Sequence, residues 1–323
     1  LKEIKKVLLV SIPRTLTLGS DNISFIFLVS FASLMTTGSI AVFNFSYNLE
    51  TVPLAIIGIS YSLAVFPILI KYYSEGNVQK FREEIILSAK HIIFWSIPFA
   101  TLFIVLRAQI VRTILGAGHF SWYDTRLTAA ALAIFAVSIV CQNLTLLFIR
   151  AYYATGNTRK PFFAKFLNAL TTILLGYGFM LLFAREPMFR STLEWLLKVQ
   201  DVPGTIILTL PLGWSIGELI NTIALWIIFE RDFKSFSKPV LKTLGEILAG
   251  SIVMGVVAYS CLNIFDKVFN LNTSIGIFLQ GFASGIIGIA AGIVVLALLK
   301  NKELADVWQT LRNKIYNVKM LQC

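Results

Sequence analysis

Eight apolar stretches, at roughly 7–35, 39–70, 86–111, 127–150, 162–184, 204–229, 243–265 and 274–299, dominate this chain. A bilayer's hydrocarbon core is about 30 Å thick, and a helix needs about 20 mostly apolar residues to cross it. Each stretch meets that requirement, so the pattern predicts an all-α polytopic membrane protein with about eight transmembrane helices. Two of the stretches are long and carry proline, Pro13 in the first and Pro53 and Pro67 in the second. Proline frees a carbonyl and kinks a helix, so both are expected to bend, which suits the walls of a cavity.

The polar residues left over set topology. Only 14% of the 323 residues are charged, against about 25% in a soluble domain. The net charge of +11 does not point to nucleic acid, because the positive charges cluster at the ends of apolar runs. With an inside N-terminus and eight crossings, nineteen Lys and Arg fall on the inner side and seven on the outer, as the positive-inside rule expects. Both termini are then cytoplasmic. That count places Lys165 with Arg150, Arg159 and Lys160 in an inner loop. The first residue is Leu and no signal peptide precedes the first span, so the chain reads as the later part of a longer protein or as a reading frame cut short.

Two short motifs echo each other: YYSEGN at 72–77 and YYATGN at 152–157 each close an apolar helix on the inner side and open a basic turn. Gly-Asn is a turn pair, and the units 39–111 and 127–184 read as repeats of the kind common in transporters. Residues 185–203 are too polar to span; Phe189, Leu193, Leu196 and Leu197 recur at helical spacing, predicting an amphipathic helix on the outer surface. The tail 301–323 carries a similar stripe, Leu304, Val307, Trp308, Leu311 and Ile315, and reads as an amphipathic helix at the inner headgroups or a partner-binding helix. Small residues at 281, 285, 288 and 292 mark close helix packing.

Ionisable groups inside the spans cost about 2.5–3.5 kcal/mol each even on an insertion scale, so each needs a reason. Arg14, Thr17 and Asp21 share one face of the first span. Arg14 and Asp21 are about 10 Å apart along the axis, too far to pair directly; they flank a bound polar group or pair with other helices, and Arg14 has the further option of snorkelling to the interface. On the second span Asn44, Tyr47, Asn48 and Thr51 share a face with Glu50 at its edge. This is either a hydrogen-bond ladder between helices or the wall of a wet cavity; its breadth favours the cavity. Glu218, with Ser215 and Thr222, lies on a polar stripe of an apolar helix, either paired or carrying an ion or proton. Glu246 and Lys242 form a local pair four residues apart; Lys90 and His91 are interfacial. The two histidines, His91 and His119, stand apart from one another and from the three isolated cysteines, so neither a metal site nor a cofactor is expected. Nor is there a carboxylate pair or His–carboxylate constellation that a membrane enzyme would use.

At this point residues 7–183 resemble a known family. The run IPRTLTLGSDNIS…SFASLMTTGSIAVFNFSYNLETVPLAIIGISYSLAVFPILIKYYSEGN, the ILGAGHFSWYDTRLTAAAL segment with Gly118, Phe120 and Asp124, and the RAYYATGNTRKP loop at 150–161 are similar to the lipid II flippases of the MurJ/MviN type, within the multidrug/oligosaccharidyl-lipid/polysaccharide exporter superfamily. The resemblance implies a fourteen-helix, two-lobed bundle of which this chain holds the second lobe (1–229), two additional helices (230–300) and a cytoplasmic tail (301–323). It implies flipping of the undecaprenyl-pyrophosphate-linked peptidoglycan precursor across the bacterial cytoplasmic membrane, with membrane lipids, a first lobe outside this sequence and other cell-wall synthesis proteins as partners. The cavity residues would be Arg14, Asp21, Asn44, Asn48, Glu50 and Thr51, with Asp21, Glu50 or Glu218 coupling the cycle to an ion or to the membrane potential. One departure stands out: the family often has arginine five residues before the proline matching Pro53, and here that residue is Asn48. Carriage of another lipid-linked oligosaccharide, such as an O-antigen or teichoic acid precursor, and a scaffold without transport both remain open on sequence.

Overall fold

The computed structural model describes the backbone of residues 2–116, 120–271 and 273–320 and the side chains of 15–17, 19–116, 120–271, 273–310 and 312. Among these residues every regular element is helical: α1 (Lys2–Ser33), α2 (Ser39–Pro53), a π-helical turn (Leu54–Ile59), α3 (Ser60–Ser74), α4 (Val78–Val105), α5 (Arg107–Leu115), α6 (Trp122–Ala154), α7 (Arg159–Arg185), α8 (Pro187–Leu197), a 3-10 turn (Thr205–Leu208), α9 (Thr209–Phe233), α10 (Ser237–Phe265), α11 (Ser274–Leu298) and α12 (Lys302–Met320). Among the described residues eight helical segments are long and apolar enough to cross a membrane, with α2, the π turn and α3 forming one of them, Ser39–Ser74.

The bend expected at Pro53 takes a particular form. Proline cannot donate its backbone N–H to the preceding turn, and the chain answers by widening into the six-residue π turn directly after it. The span remains continuous from residue 39 to residue 74. π turns are rare and often found at functional sites.

Helix α6 is the hub. It is buried along most of its length, from Leu127 to Tyr152, and packs against α2, α3, α4 and α9. It starts on a capping box: the Ser121 hydroxyl accepts from the Asp124 amide at 3.1 Å, while Asp124 accepts from the Ser121 amide at 2.9 Å. One apolar core, around Phe81, Ile92, Phe148, Phe229 and Phe236, fills the end of the bundle that the charge count puts inside. A second, around Leu28, Phe43, Phe135 and Trp214, fills the other end.

The two echoed motifs build the same turn. Gly76 and Gly156 both adopt positive φ, 73° and 77°, the left-handed conformation that glycine takes without penalty. In each, the following asparagine donates its amide to the first tyrosine carbonyl, Asn77 to Tyr72 at 2.9 Å and Asn157 to Tyr152 at 3.1 Å. Each asparagine side chain then accepts from the backbone of the next helix, from Lys80 at 3.0 Å and Lys160 at 3.2 Å. A six-residue motif thus ends one helix and caps the next.

The amphipathic segment expected over 185–203 is shorter, α8 spanning Pro187–Leu197. Its end is held from two sides: Arg107 donates to the Leu197 carbonyl at 3.0 Å, and Arg126 donates to the Lys198 carbonyl and both oxygens of Asp201. Trp195 and Leu196 stay exposed, as a helix lying on a bilayer surface requires.

Candidate functional site

Three spans converge on a charged cluster. Lys165 of α7 is 5% exposed and lies inside the span, not in a loop. This corrects the topology count, which had spent Lys165 on the inner surface. Its Nζ donates to both oxygens of Asp21 on α1, at 2.9 and 3.1 Å, and to Oε1 of Glu218 on α9 at 3.3 Å. Asn168, one turn along α7, donates to the same Glu218 oxygen at 2.7 Å. Glu218 is 1% exposed and Asp21 half-buried. Two carboxylates therefore share one ammonium, and the second Glu218 oxygen has no hydrogen-bond partner.

Backbone geometry brings these side chains together. Above the cluster α7 and α9 touch at glycine: a Cβ on Gly213 would stand 2.6 Å from the Gly176 amide nitrogen, closer than any side chain permits. The polar stripe read on α9 then divides. Ser215 donates to the Ile134 carbonyl of α6 at 2.8 Å and Thr222 to the Cys141 carbonyl at 3.0 Å, so these two tie α9 to the hub. Glu218, between them on the same stripe, is instead bonded to Lys165 and Asn168 of α7.

The face read on α2 also divides. Asn48 is exposed, Asn44 and Thr51 are half-buried, and Thr51 donates to the Asn48 carbonyl at 2.8 Å. The Asn44 side-chain oxygen is buried without a partner. Tyr47 stacks among Phe25, Phe135 and Trp214, with ring centroids 4.7, 5.9 and 5.3 Å away. Glu50 does not belong to that open face. Two residues turn a helix by about 200°, so Glu50 points nearly opposite to Asn48. It is 0% exposed, and its Oε1 accepts from the Gln142 side-chain amide of α6, which also donates to Ser138 at 2.9 Å. Next to it Asn143 donates to Ser96 of α4 at 2.7 Å. The side chain of Arg14 lies outside the described residues. The structure thus brings Asp21 and Glu218 together through Lys165, sets Asn44, Asn48 and Thr51 on one partly open face, and turns Glu50 into the bundle.

Lys165, Asn168 and Gln142 were missed on sequence. The signal for the first two was present: a Lys and an Asn three residues apart lie one above the other on a helix, within a stretch already read as a span.

Among the described residues, an all-helical bundle with eight candidate spans around a buried ion-pair cluster defines a multi-pass membrane protein. A family model described as lipid II flippase MurJ matches residues 1–280, and the chain belongs to that family. Among curated relatives, the probable lipid II flippase MurJ of Thermotoga maritima is 25% identical over 256 residues, covering 72% of this chain and 53% of that protein. Its counterpart in Bdellovibrio bacteriovorus is 29% identical over 159 residues, covering 49% of this chain and 30% of the relative. The chain thus matches about half or less of the length of these relatives. The solved structure of lipid II flippase MurJ in an inward closed conformation superposes with a TM-score of 0.65 at 20% identity, over 95% of this chain and 56% of the other; at that identity the likeness speaks for the fold.

Proposed function

We propose that this chain supplies the second lobe and two additional helices of a flippase that carries an undecaprenyl-pyrophosphate-linked peptidoglycan precursor from the inner to the outer leaflet of the bacterial cytoplasmic membrane. It acts with a first lobe, both of its own termini face the cytoplasm, and it is a transporter rather than an enzyme. The sugar–pyrophosphate head occupies a hydrated chamber between the lobes while the lipid tail stays in the bilayer. Asn44, Asn48 and Thr51 offer hydrogen bonds to sugar or peptide, and Arg14 attracts phosphate. Rocking of one lobe against the other exposes the chamber to each side in turn.

The observation that carries this reading is Lys165 held between Asp21 and Glu218 inside the membrane. Two acids competing for one ammonium make a set of contacts with two arrangements, Lys165 toward Asp21 or toward Glu218. Any ion or potential that favours one of them biases the lobe. The half-buried Asp21 is the member that solvent or a coupling ion reaches first.

The test uses the full-length transporter with single cysteines at positions 21, 44 and 48 and a membrane-impermeant thiol reagent. Labelling that changes when the cycle is arrested supports the chamber; all three unlabelled in every state removes it. Rescue of cells depleted of their own lipid II flippase tests the substrate. Labelling without rescue would turn the assignment toward another lipid-linked oligosaccharide.

A further inference from the structure

The cations around the close of α8 are of two kinds. Arg190 and Arg126 have acids of their own. Arg190 donates to Glu194 at 3.0 Å, and Thr205 donates to the same oxygen at 2.6 Å. Arg126 holds both oxygens of Asp201. Those two carboxylates are thereby occupied. Arg107 and Lys198 have none: neither forms an ion pair among the described residues.

The protein nonetheless draws these two cations together. Arg107, half-buried at the start of α5, gives one N–H to the Leu197 carbonyl at 3.0 Å, and a guanidinium has five. The residue after Leu197 is Lys198. It adopts φ 59°, a position that glycine usually fills at the end of a helix. Its Nζ donates to the Tyr259 hydroxyl of α10 at 3.0 Å and lies 5.4 Å from the centre of that ring. Asn263, one turn further along α10, bonds the same hydroxyl. The register of α10 against α4 makes this meeting possible. A Cβ on Gly255 would stand 2.9 Å from Thr101 Cγ2 and 3.6 Å from Val105 Cγ2. Tyr259, one turn beyond Gly255, is therefore level with Arg107, close enough for the two to act on each other electrostatically.

Like charges set side by side repel, and partial burial weakens the screening that water and salt would give. An anion held between them removes that cost. Its surroundings narrow its identity. Trp195 and Leu196 of α8 are 68% and 65% exposed, and α8 lies on the bilayer surface, so the cations face the layer where lipid phosphates sit. A guanidinium fork pairs with two phosphate oxygens, and an ammonium supplies a point charge to a third. Tyr259, whose oxygen accepts from Lys198, keeps its own O–H to donate.

We infer that Arg107, Lys198, Tyr259 and Asn263 form a binding site for the phosphate of an anionic phospholipid headgroup, in the leaflet on which α8 lies. Trp195 and Leu196 meet the acyl chains beside it. Because the site draws on α5, α8 and α10, a bound lipid ties the surface helix to two elements of the bundle. This inference is independent of what the lobe transports.

The experiment uses the full-length transporter in neutral detergent. It is titrated with short-chain phosphatidylglycerol, with phosphatidylcholine of the same chain length, and with inorganic phosphate. Hydrogen exchange of residues 193–201 reads occupancy. Phosphatidylglycerol should slow it saturably and phosphatidylcholine should not. Lys198→Asn removes the charge but suits the left-handed position, and it should weaken phosphatidylglycerol about fivefold. Lys198→Arg, which keeps the charge, should retain the affinity. Equal protection by both lipids would overturn the inference, as would a Lys198→Asn variant that binds phosphatidylglycerol like the wild type. Inorganic phosphate that protects at the same concentration as phosphatidylglycerol would also overturn it, by assigning the site to a soluble anion.

Discussion

Two seams hold this molecule together by different means. Between α10 and α11 the contact is small and apolar: a Cβ on Gly288 would stand 2.8 Å from the Ala258 Cβ and 2.9 Å from the Met254 carbonyl oxygen. Backbones approach closely, as in many membrane helix pairs, and one neutral hydrogen bond, from Gln280 to the Leu262 carbonyl at 3.0 Å, crosses the seam. Between α1, α7 and α9 the chain also uses glycine, at Gly176 and Gly213, yet it adds two acids, a lysine and an asparagine to the same interface. The first seam shows that this protein can join spans without charge. The second adds charges that close packing alone does not require.

That contrast can be broken outright. Lys165→Met leaves Glu218 buried without its ammonium, and breaking one side of a buried pair costs about 3–5 kcal/mol. The variant should show the largest loss of thermal stability in detergent, followed by tryptophan fluorescence. Neutralising all three members, Asp21→Asn with Lys165→Met and Glu218→Gln, should restore most of that stability while flipping stays lost in a complementation assay. If flipping returned with stability, the charges would be adhesive after all.

Gly288→Leu tests the other seam and should cost about 1–3 kcal/mol through overpacking, visible as a lower melting temperature with the charged seam intact. Glu50→Ala should cost less, about 1–2 kcal/mol, by stranding the buried Gln142 amide, and Glu50→Gln should recover most of it because a carboxamide oxygen still accepts. The smallest effect belongs to the outer loop. Bonding to Arg126 holds the Asp201 carboxyl below its usual range. A depressed carboxyl contributes order that is fully present above the ordinary Asp value, about 3.9, and that fades as pH falls through the folded value. Protection of 197–204 against hydrogen exchange, taken relative to the intrinsic rate at each pH, should therefore fall on acidification below that point in the wild type, and Asp201→Asn should abolish the dependence.

The spans were legible because a bilayer imposes a length and a polarity that sequence records directly. So were the turns at 76 and 156, where glycine and asparagine each have one conformational use. The interior was harder to read. Lys165 looked like one more charge in a basic loop because Arg159 and Lys160 precede it closely, and only its neighbours across the bundle show that it is a counterion. Asp21 and Glu218 are nearly 200 residues apart, and no local pattern joins them. Glu50 was read at the edge of the α2 face, about 60° from Tyr47, and no local pattern shows that its carboxylate meets Gln142 of α6. The π turn after Pro53 left no mark beyond the proline itself.

That wide turn stores one surplus residue in the middle of an otherwise unbroken rod. Everything beyond Ile59 is rotated by about 100° from where an ordinary helix would have put it. The two ends of this span accordingly present different sides to the same neighbours, and sliding the surplus along the rod would twist one end against the other without severing a single strand of backbone.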